Sequence, residues 1–396
     1  MRIDPQLWLE RPGIERLLRA LDAGEGGARF VGGAVRDALL GIPPEDLDLA
    51  TPHAPGDVVR RLEAAHIKAV PTGIAHGTVT AVSSGTMVEV TTLRCDVDTD
   101  GRRATVAFTD DWAADAARRD FTINALYADP ISGEIVDHVG GEADIAARRV
   151  RFIGEPLQRI AEDHLRILRF FRFHARFGAG EADAAALDAC TARANDLMAL
   201  SRERIADELL KLLALPDPSP TLALMAERHI LAPVLPELVN DASARVAALA
   251  RAETDAAIAP HPLRRLAALL PQDEALAARV AARLKLSKKA RRRLAAAADP
   301  GLDINPRALA YRHGSETAAD RLLLAGRPRD AAAIAAWPVP VLPIGGGDLV
   351  ARGVPQGPEV ARTLRAIESA WVEAGFPVGE AFDALVAATL GAGTPA

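Results

Sequence analysis

Asp46 and Asp48, separated by one leucine, follow the block Phe30-Val-Gly-Gly-Ala-Val-Arg-Asp37. In an extended strand, side chains two apart share a face. Leu47 and Leu49 are then free to enter a core while both carboxylates face solvent together. Two such carboxylates repel each other unless a cation lies between them. Hard oxygen ligands with room for water and phosphate oxygens suit Mg²⁺. Gly32 and Gly33 lie between a strand expected at Arg29–Val31 and a helix expected at Ala34–Leu40. Glycines there let backbone amides approach a phosphate, near a helix start that favours negative charge. A phosphate cradle beside a metal-binding acid pair reads as nucleotidyl transfer.

Glu89, in Met87-Val-Glu-Val-Thr-Thr92, is placed to join that pair. On a strand beside the Asp46/Asp48 strand it completes a metal site or polarises an attacking hydroxyl. Arg118-Arg-Asp-Phe-Thr-Ile-Asn124 offers guanidinium forks for triphosphate oxygens and, in Asp120 and Asn124, groups for ribose hydroxyls. It leads into a strand expected beside the Asp46 strand. Glu162-Asp-His-Leu-Arg166 is expected to open a helix running to about Phe177. Asp163 and Arg166 would then project from one face. An acid and an arginine in fixed geometry offer an acceptor and donors, enough to read the base edge of cytosine or adenine. An ordinary intrahelical ion pair has the same spacing. Arg169, Arg172 and Arg176 continue this helix, with Phe170, Phe173 and Phe177 one step on: a buried aromatic stripe and an arginine stripe facing phosphate. Lys285-Leu-Ser-Lys-Lys-Ala-Arg-Arg-Arg293 is a second basic cluster. Lys285, Lys288, Lys289 and Arg291 are its candidate RNA contacts. His76 is read as stabilising a turn.

The elements that must hold these groups change character along the chain. Up to about residue 145, strands alternate with helices: a helix at Ile14–Leu21, strands at Arg29–Val31 and Asp46–Ala50, and a helix at Gly56–Ala65. Further strands are expected at Ile67–Val70, Gly77–Val82 and Met87–Leu93, the last two forming a hairpin around Gly85. A helix at Trp112–Arg119 and strands at Thr122–Tyr127 and Ile135–Val139 follow. Beyond Asp144, Ala, Leu and Arg recur at helical spacing, with breaks at Pro216–Pro220 and at Asp299–Pro306. The fold class is α+β: a mixed-sheet head over 1–145, a helical neck over 146–215, a helical body over 216–300 and a helical tail over 301–396.

Composition narrows the setting. A chain of 396 residues exceeds what one core usually holds. The formal net charge of −6 excludes a globally basic nucleic-acid binder, so a polyanion must be met by local patches. Cys95 and Cys190 lack metal-ligand spacing and read as small apolar residues in a reducing compartment. Neither a signal peptide nor a membrane-spanning run is visible, and a cytoplasmic location is expected.

The ordered blocks from Arg29 to Gly178 resemble the class II tRNA nucleotidyltransferase and poly(A) polymerase family, which includes bacterial CCA-adding enzymes. The resemblance rests on Gly-Gly-Ala-Val-Arg-Asp37, Asp46-Leu-Asp48, Thr72-Gly-Ile-Ala-His-Gly-Thr-Val79 and Glu89-Val-Thr-Thr-Leu-Arg94. It continues through Arg118-Arg-Asp-Phe-Thr-Ile-Asn-Ala125, Asp137-His-Val-Gly-Gly141 and Glu162-Asp-His-Leu-Arg166. The stretch Ser201-Arg-Glu-Arg-Ile-Ala-Asp-Glu-Leu-Leu-Lys211 is similar to the family's neck.

The resemblance implies a nucleotidyltransferase (polymerase-β-like) head in which Asp46 and Asp48 hold catalytic Mg²⁺ and Glu89 is a third carboxylate. Gly32, Gly33, Arg36 and Asp37 match the block at the triphosphate and metal. Arg119, Asp120 and Asn124 match the block that handles ribose and phosphates. Asp163 and Arg166, with Arg169 beside them, match the protein template that selects CTP and then ATP. The implied reaction is addition of CMP and AMP to the 3′ end of tRNA. A-only or C-only addition and poly(A) tailing are the alternatives, and a loop after Thr51 is where they would differ. The block at Thr72–Thr78 differs from the Gly-Arg/Lys-Arg/Lys-Phe type of the poly(A) branch and favours a tRNA enzyme. The chain has no His-Asp dipeptide, which argues against an appended HD phosphohydrolase domain. His164 and the run Arg169–His174 are bulkier than the family pattern. Oligomeric state is left open.

Overall fold

The computed structural model describes residues 1–44, 46–99, 104–301 and 305–392. The chain divides into two compact units: 1–212 with 220–236, and 213–219 with 237–396.

The first unit is built on a seven-stranded sheet of order β3-β4-β5-β2-β1-β8-β9. The strands are β1 (Arg29–Val31), β2 (Asp48–Thr51), β3 (Lys68–Gly73), β4 (Thr78–Ser83), β5 (Thr86–Thr92), β8 (Leu126–Ala128) and β9 (Ile135–Asp137). A separate hairpin pairs β6 (Arg94–Thr99) with β7 (Ala104–Phe108). All neighbours in the large sheet are antiparallel except β2 and β5, which run parallel with Asp48 opposite Glu89.

Alternation sorts the two faces. Val79, Ala81, Val88 and Val90 are buried on one face, and Met87 and Glu89 are exposed on the other. The buried face packs against the helices Ile14–Ala20 and Pro55–Ala64. Burying those valines stabilises the fold by roughly 1.5–3 kcal/mol per side chain. Val88→Asp would bury an unpaired charge in this layer and break it. The β4–β5 turn contains Gly85 at φ 86°, as the hairpin expectation required.

Three sequence expectations shift. The strand expected at Asp46–Ala50 begins at Asp48; Leu47 and Leu49 are buried, but exposed Asp46 precedes the strand. The segment Thr122–Tyr127 is not one strand. Thr122–Asn124 forms a single 3₁₀ turn, closed by bonds from Asn124 N–H to Phe121 C=O and from Ala125 N–H to Thr122 C=O. The strand that follows pairs with β1, not with β2. The loop after Thr51, whose reach the sequence left open, is short: a helix starts at Pro55.

The expected continuous helix from Glu162 is two helices, Pro156–Glu162 and Arg166–Phe177. Asp163 lies between them in an extended conformation (φ −152°, ψ 106°). Its side chain accepts from the Leu165 N–H at 3.1 Å, an alternative to continuing the helix. The second helix buries Phe170, Phe173 and Phe177 as predicted, packing Phe170 and Phe173 against Phe121.

Gly141 shows why one glycine is required. A Cβ there would lie 2.3 Å from the Thr122 carbonyl oxygen, and Asp137 caps the same turn by accepting from the amides of Val139, Gly140, Gly141 and Glu142.

The second unit is helical throughout its described residues apart from connecting loops. One part is organised by buried ions. Arg264 donates to Glu253 at 2.6 Å and to Asp320 at 2.7 Å, while Arg265 donates to Glu253 and to the carbonyls of Leu213 and Pro216. Another is an apolar cluster around Trp371, Ile367, Leu349 and Phe382. No helix among the described residues is long and apolar enough to cross a membrane.

Candidate active site

An open cleft of about 540 Å³ lies on the sheet at the β2–β1–β8 side. Its wall contains six arginines (Arg36, Arg94, Arg118, Arg119, Arg166 and Arg169) against three acids (Asp48, Asp120 and Asp163). Gly32, Gly33, Asn124 and Phe173 complete it. The excess of guanidinium groups suits a polyanion such as a triphosphate.

Gly32 and Gly33 both line the cleft. Gly32 has φ 67° and ψ −120°, a conformation open to glycine alone, and its amide donates to the Leu126 carbonyl at 3.3 Å. That amide joins strand to strand, and the helix it precedes, Gly33–Leu39, has only seven residues.

Arg36 is buried, with its guanidinium 4.0 Å from the centroid of Phe177. It donates to Asp37 Oδ1 at 2.8 Å and to Asn124 Oδ1 at 2.6 Å. Asn124 in turn donates to Asp120 at 3.1 Å. Asp120 Oδ2 accepts from Arg169 Nε at 2.8 Å. Burial alone would push the Asp120 carboxyl up, but Arg169 and the Asn124 amide outweigh it and hold it down. One buried network thus joins the glycine block, the Arg-Asp-Phe block and the helix after Asp163.

Arg118 and Arg119 share one anchor that sequence reasoning missed. Asp115 Oδ1 accepts from Arg118 Nε and Nη2 at 2.9 and 2.7 Å, and Oδ2 accepts from Arg119 Nε and Nη2 at 3.2 and 2.9 Å. The Tyr127 hydroxyl also donates to Oδ2, at 2.7 Å. Burial would raise this carboxyl, yet the two arginines and the tyrosine hydrogen bond bring it down to about 2. The signal was present as spacing: an acid three and four residues before two arginines. Arg94 was likewise overlooked; its guanidinium donates to the His76 carbonyl at 2.7 Å.

Of the acid pair expected to hold a metal, Asp48 lines the cleft; Asp46 and Glu89 stand outside its wall. Burial first, then the charges of Glu89 and Asp46, push the Asp48 carboxyl up to about 6 against the pull of Arg119 and Arg36. Among the described residues, these three carboxylates have no hydrogen-bonded or ion-paired side-chain partner. Crowded anions with no direct ion pair suit a cation. Also among the described residues, no three metal-ligating side chains are gathered closely enough to hold an ion alone.

The pair expected to read the base lies in the cleft, but not as two residues of one helix. Arg166 donates to Glu162 and to the Arg159 carbonyl, and Asp163 accepts from Arg204 at 2.7 Å. His164 turns away, its Nδ1 2.9 Å from the Ile160 carbonyl.

The expected stripe of arginines facing RNA phosphate is not present as a stripe. Arg169 is held by Asp120, and Arg172 donates to buried Glu208 at 2.6 Å, because each carboxylate needs a cation in place of lost water. Arg176 alone is largely exposed. In the second unit, Lys285, Lys288, Lys289 and Arg291 are exposed, the last three on the helix Lys288–Ala297. Cys190 is buried, and Cys95 is partly buried.

Comparison with known proteins agrees with this geometry. The family description "Poly A polymerase head domain" matches residues 28–151, and "Probable RNA and SrmB- binding site of polymerase A" matches residues 183–241. The mitochondrial CCA tRNA nucleotidyltransferase 1 of Mus musculus is 34% identical over 368 residues, covering 88% of this chain and 83% of that protein. The CCA-adding enzyme of Geobacillus thermodenitrificans is 41% identical over 216 residues, covering 53% of this chain and 51% of that one. The crystal structure of the Bacillus stearothermophilus CCA-adding enzyme in complex with CTP superposes with a TM-score of 0.75 at 28% identity, covering 96% of this chain and 99% of that one. With the head, the arginine cleft and the acid pair in place, the chain belongs to the tRNA nucleotidyltransferase and poly(A) polymerase family.

Proposed function

We propose that this protein adds CMP and AMP, from CTP and ATP, to the 3′ end of tRNA without a nucleic-acid template, completing the sequence CCA. The observation that carries this reading is one cleft whose wall holds Asp48, six arginines and both Asp163 and Arg166. Acid chemistry, phosphate binding and base reading are thus adjacent. The names of the mouse and Geobacillus relatives give the same reaction for those proteins.

The residues divide the work as follows. Arg118 and Arg119, fixed by Asp115, hold the triphosphate, and the network of Arg36, Asn124 and Asp120 sets the floor beneath the ribose. Asp46 and Asp48, with Glu89 beside them, hold Mg²⁺; when bound, the metal lowers the pKa of the attacking hydroxyl and neutralises charge on the phosphates. The tRNA 3′-hydroxyl attacks the α-phosphorus in line, its proton leaves, and the bond to pyrophosphate breaks. The arginines stabilise the departing charge. Asp163 and Arg166 accept cytosine or adenine by the amino group both bases present.

The division into head (1–145), neck (146–215), body (216–300) and tail (301–396) is part of this proposal. So are RNA contacts at Arg176, Lys285, Lys288, Lys289 and Arg291, and a cytoplasmic location. The test is extension of labelled tRNA lacking its 3′ end, with Mg²⁺ and CTP, ATP or both. Two C additions followed by one A, then arrest, support the proposal. A addition only to a CC end, C addition only, or a long A tail would replace it with one of the related activities.

A further inference from the structure

The two side chains expected to read the nucleobase are each tied to an opposite charge outside the pair. Asp163 Oδ2 accepts from Arg204 Nη2 at 2.7 Å, and its Oδ1 accepts from the Leu165 amide at 3.1 Å. Arg166 is held through Nη1 by the Glu162 carboxylate. Between Asp163 and Arg166 themselves there is only a backbone bond, from the Arg166 N–H to the Asp163 carbonyl at 3.0 Å. Asp163 and Arg166 line the cleft, whereas Arg204 reaches Asp163 from the helix Arg202–Leu213 and stays outside the wall.

This arrangement solves a specific problem. An acid and a guanidinium three residues apart attract each other, and a pair closed on itself has few groups left for a base. Arg204 gives Asp163 a competing cation from another helix, as Glu162 gives Arg166 a competing anion. Each carboxylate oxygen has a second lone pair. Asp163 therefore keeps acceptor capacity for an amino donor while Arg204 fixes its orientation. Cytosine and adenine present an amino group at that edge, and uracil and guanine a carbonyl.

We propose that Arg204 is a specificity-determining positioning residue: by anchoring one oxygen of Asp163, it keeps Asp163 and Arg166 apart and directed at CTP or ATP. This rests on the base-reading role of Asp163 and Arg166. Arg204 itself touches no substrate. Its loss weakens selection between nucleotides, not phosphoryl chemistry.

The test uses the full chain and tRNA lacking CCA, comparing wild type, Arg204→Lys, Arg204→Met, Asp163→Ala and the Arg204→Met/Asp163→Ala double variant. kcat and KM are read for CTP, ATP and UTP. Arg204→Met is expected to raise KM for CTP and ATP about ten-fold, the equivalent of roughly 1.4 kcal/mol, with UTP use unchanged. Arg204→Lys retains most of the CTP-over-UTP preference. In the Asp163→Ala background the Arg204→Met change adds nothing further. Additive loss in the double variant, an equal fall in kcat for all nucleotides, or wild-type selectivity in Arg204→Met overturns the proposal. If Asp163→Ala itself keeps the CTP-over-UTP preference, the base-reading assignment has failed and the role of Arg204 with it. If Asp163→Ala loses it and Arg204→Met keeps it, the assignment stands and the positioning role alone is lost.

Discussion

Asp48 and Glu89 stand opposite each other on the parallel strands β2 and β5, and among the charges acting on Asp48 that of Glu89 raises its carboxyl most. Neither acid has a basic partner among the described residues, so the pair is repulsive until a cation arrives. Asp48→Asn is expected to lower turnover by about a thousand-fold or more, roughly 4 kcal/mol of barrier. It should leave CTP binding partly intact. Millimolar Mg²⁺ should raise the melting temperature of the wild type and not of this variant, since a ligand that binds only the folded state stabilises it. Wild-type-like turnover by Asp48→Asn would remove the acid pair from the mechanism.

The Asp115 clamp makes a prediction about pH. Its folded carboxyl lies at about 2, below the roughly 3.9 of an unfolded aspartate. A depressed acid stabilises the fold fully above the unfolded value and loses that contribution as pH falls toward the folded one. The difference is about 2–3 kcal/mol. Urea unfolding of wild type and Asp115→Asn, from about pH 5 down to about pH 2, should therefore converge as pH falls. The variant should also have a raised KM for both nucleotides, because Arg118 and Arg119 lose their common anchor. Parallel stability curves would show that Asp115 contributes nothing through its charge.

The sheet head and the helical remainder were legible in sequence because they rest on short-range signals; of the expected site residues, Gly32, Gly33, Arg36, Asp48, Arg119, Asp120, Asn124, Asp163, Arg166 and Arg169 line the cleft, while Asp37, Asp46 and Glu89 stand outside its wall. Alternation placed Arg29–Val31 to the residue, and Gly85 announced its hairpin. What sequence spacing missed depends on tertiary competition. The helix expected through Asp163 breaks because the Asp163 side chain captures the Leu165 amide and Arg204 captures the carboxylate. Strand β8 lies beside β1 rather than β2, and a 3₁₀ turn at Thr122–Asn124 precedes it. The arginine stripe failed as a surface because Asp120 and Glu208, distant in sequence, are buried acids that need cations.

Arg169 and Asp120 form the most consequential of those pairs. Removing the guanidinium leaves Asp120 with only the Asn124 amide and the Phe121 N–H. Arg169→Met should cost about 2–3 kcal/mol, less than a fully buried pair because Arg169 is partly exposed. Asp120→Asn in the same chain should recover part of that loss by removing the stranded charge. Thermal melts of the two single variants and the double variant measure the coupling; strictly additive losses would mean the pair does not act as a unit.

Lys288, Lys289 and Arg291 differ from their neighbour Arg293 in what holds them. Arg293 donates to buried Asp320 at 2.7 Å, so Arg293→Ala should destabilise the second unit. The other three are exposed on the first turns of the same helix, where no buried acid requires them. If they neutralise tRNA phosphates, changing all three to Gln lowers the slope of log affinity against log salt by about 2–3, one unit or slightly less per contact. The KM for tRNA should rise, while the melting temperature and the KM for CTP stay near wild type. Filter binding across a salt series makes the distinction directly. An unchanged slope with unchanged affinity would place the RNA contacts elsewhere in the chain.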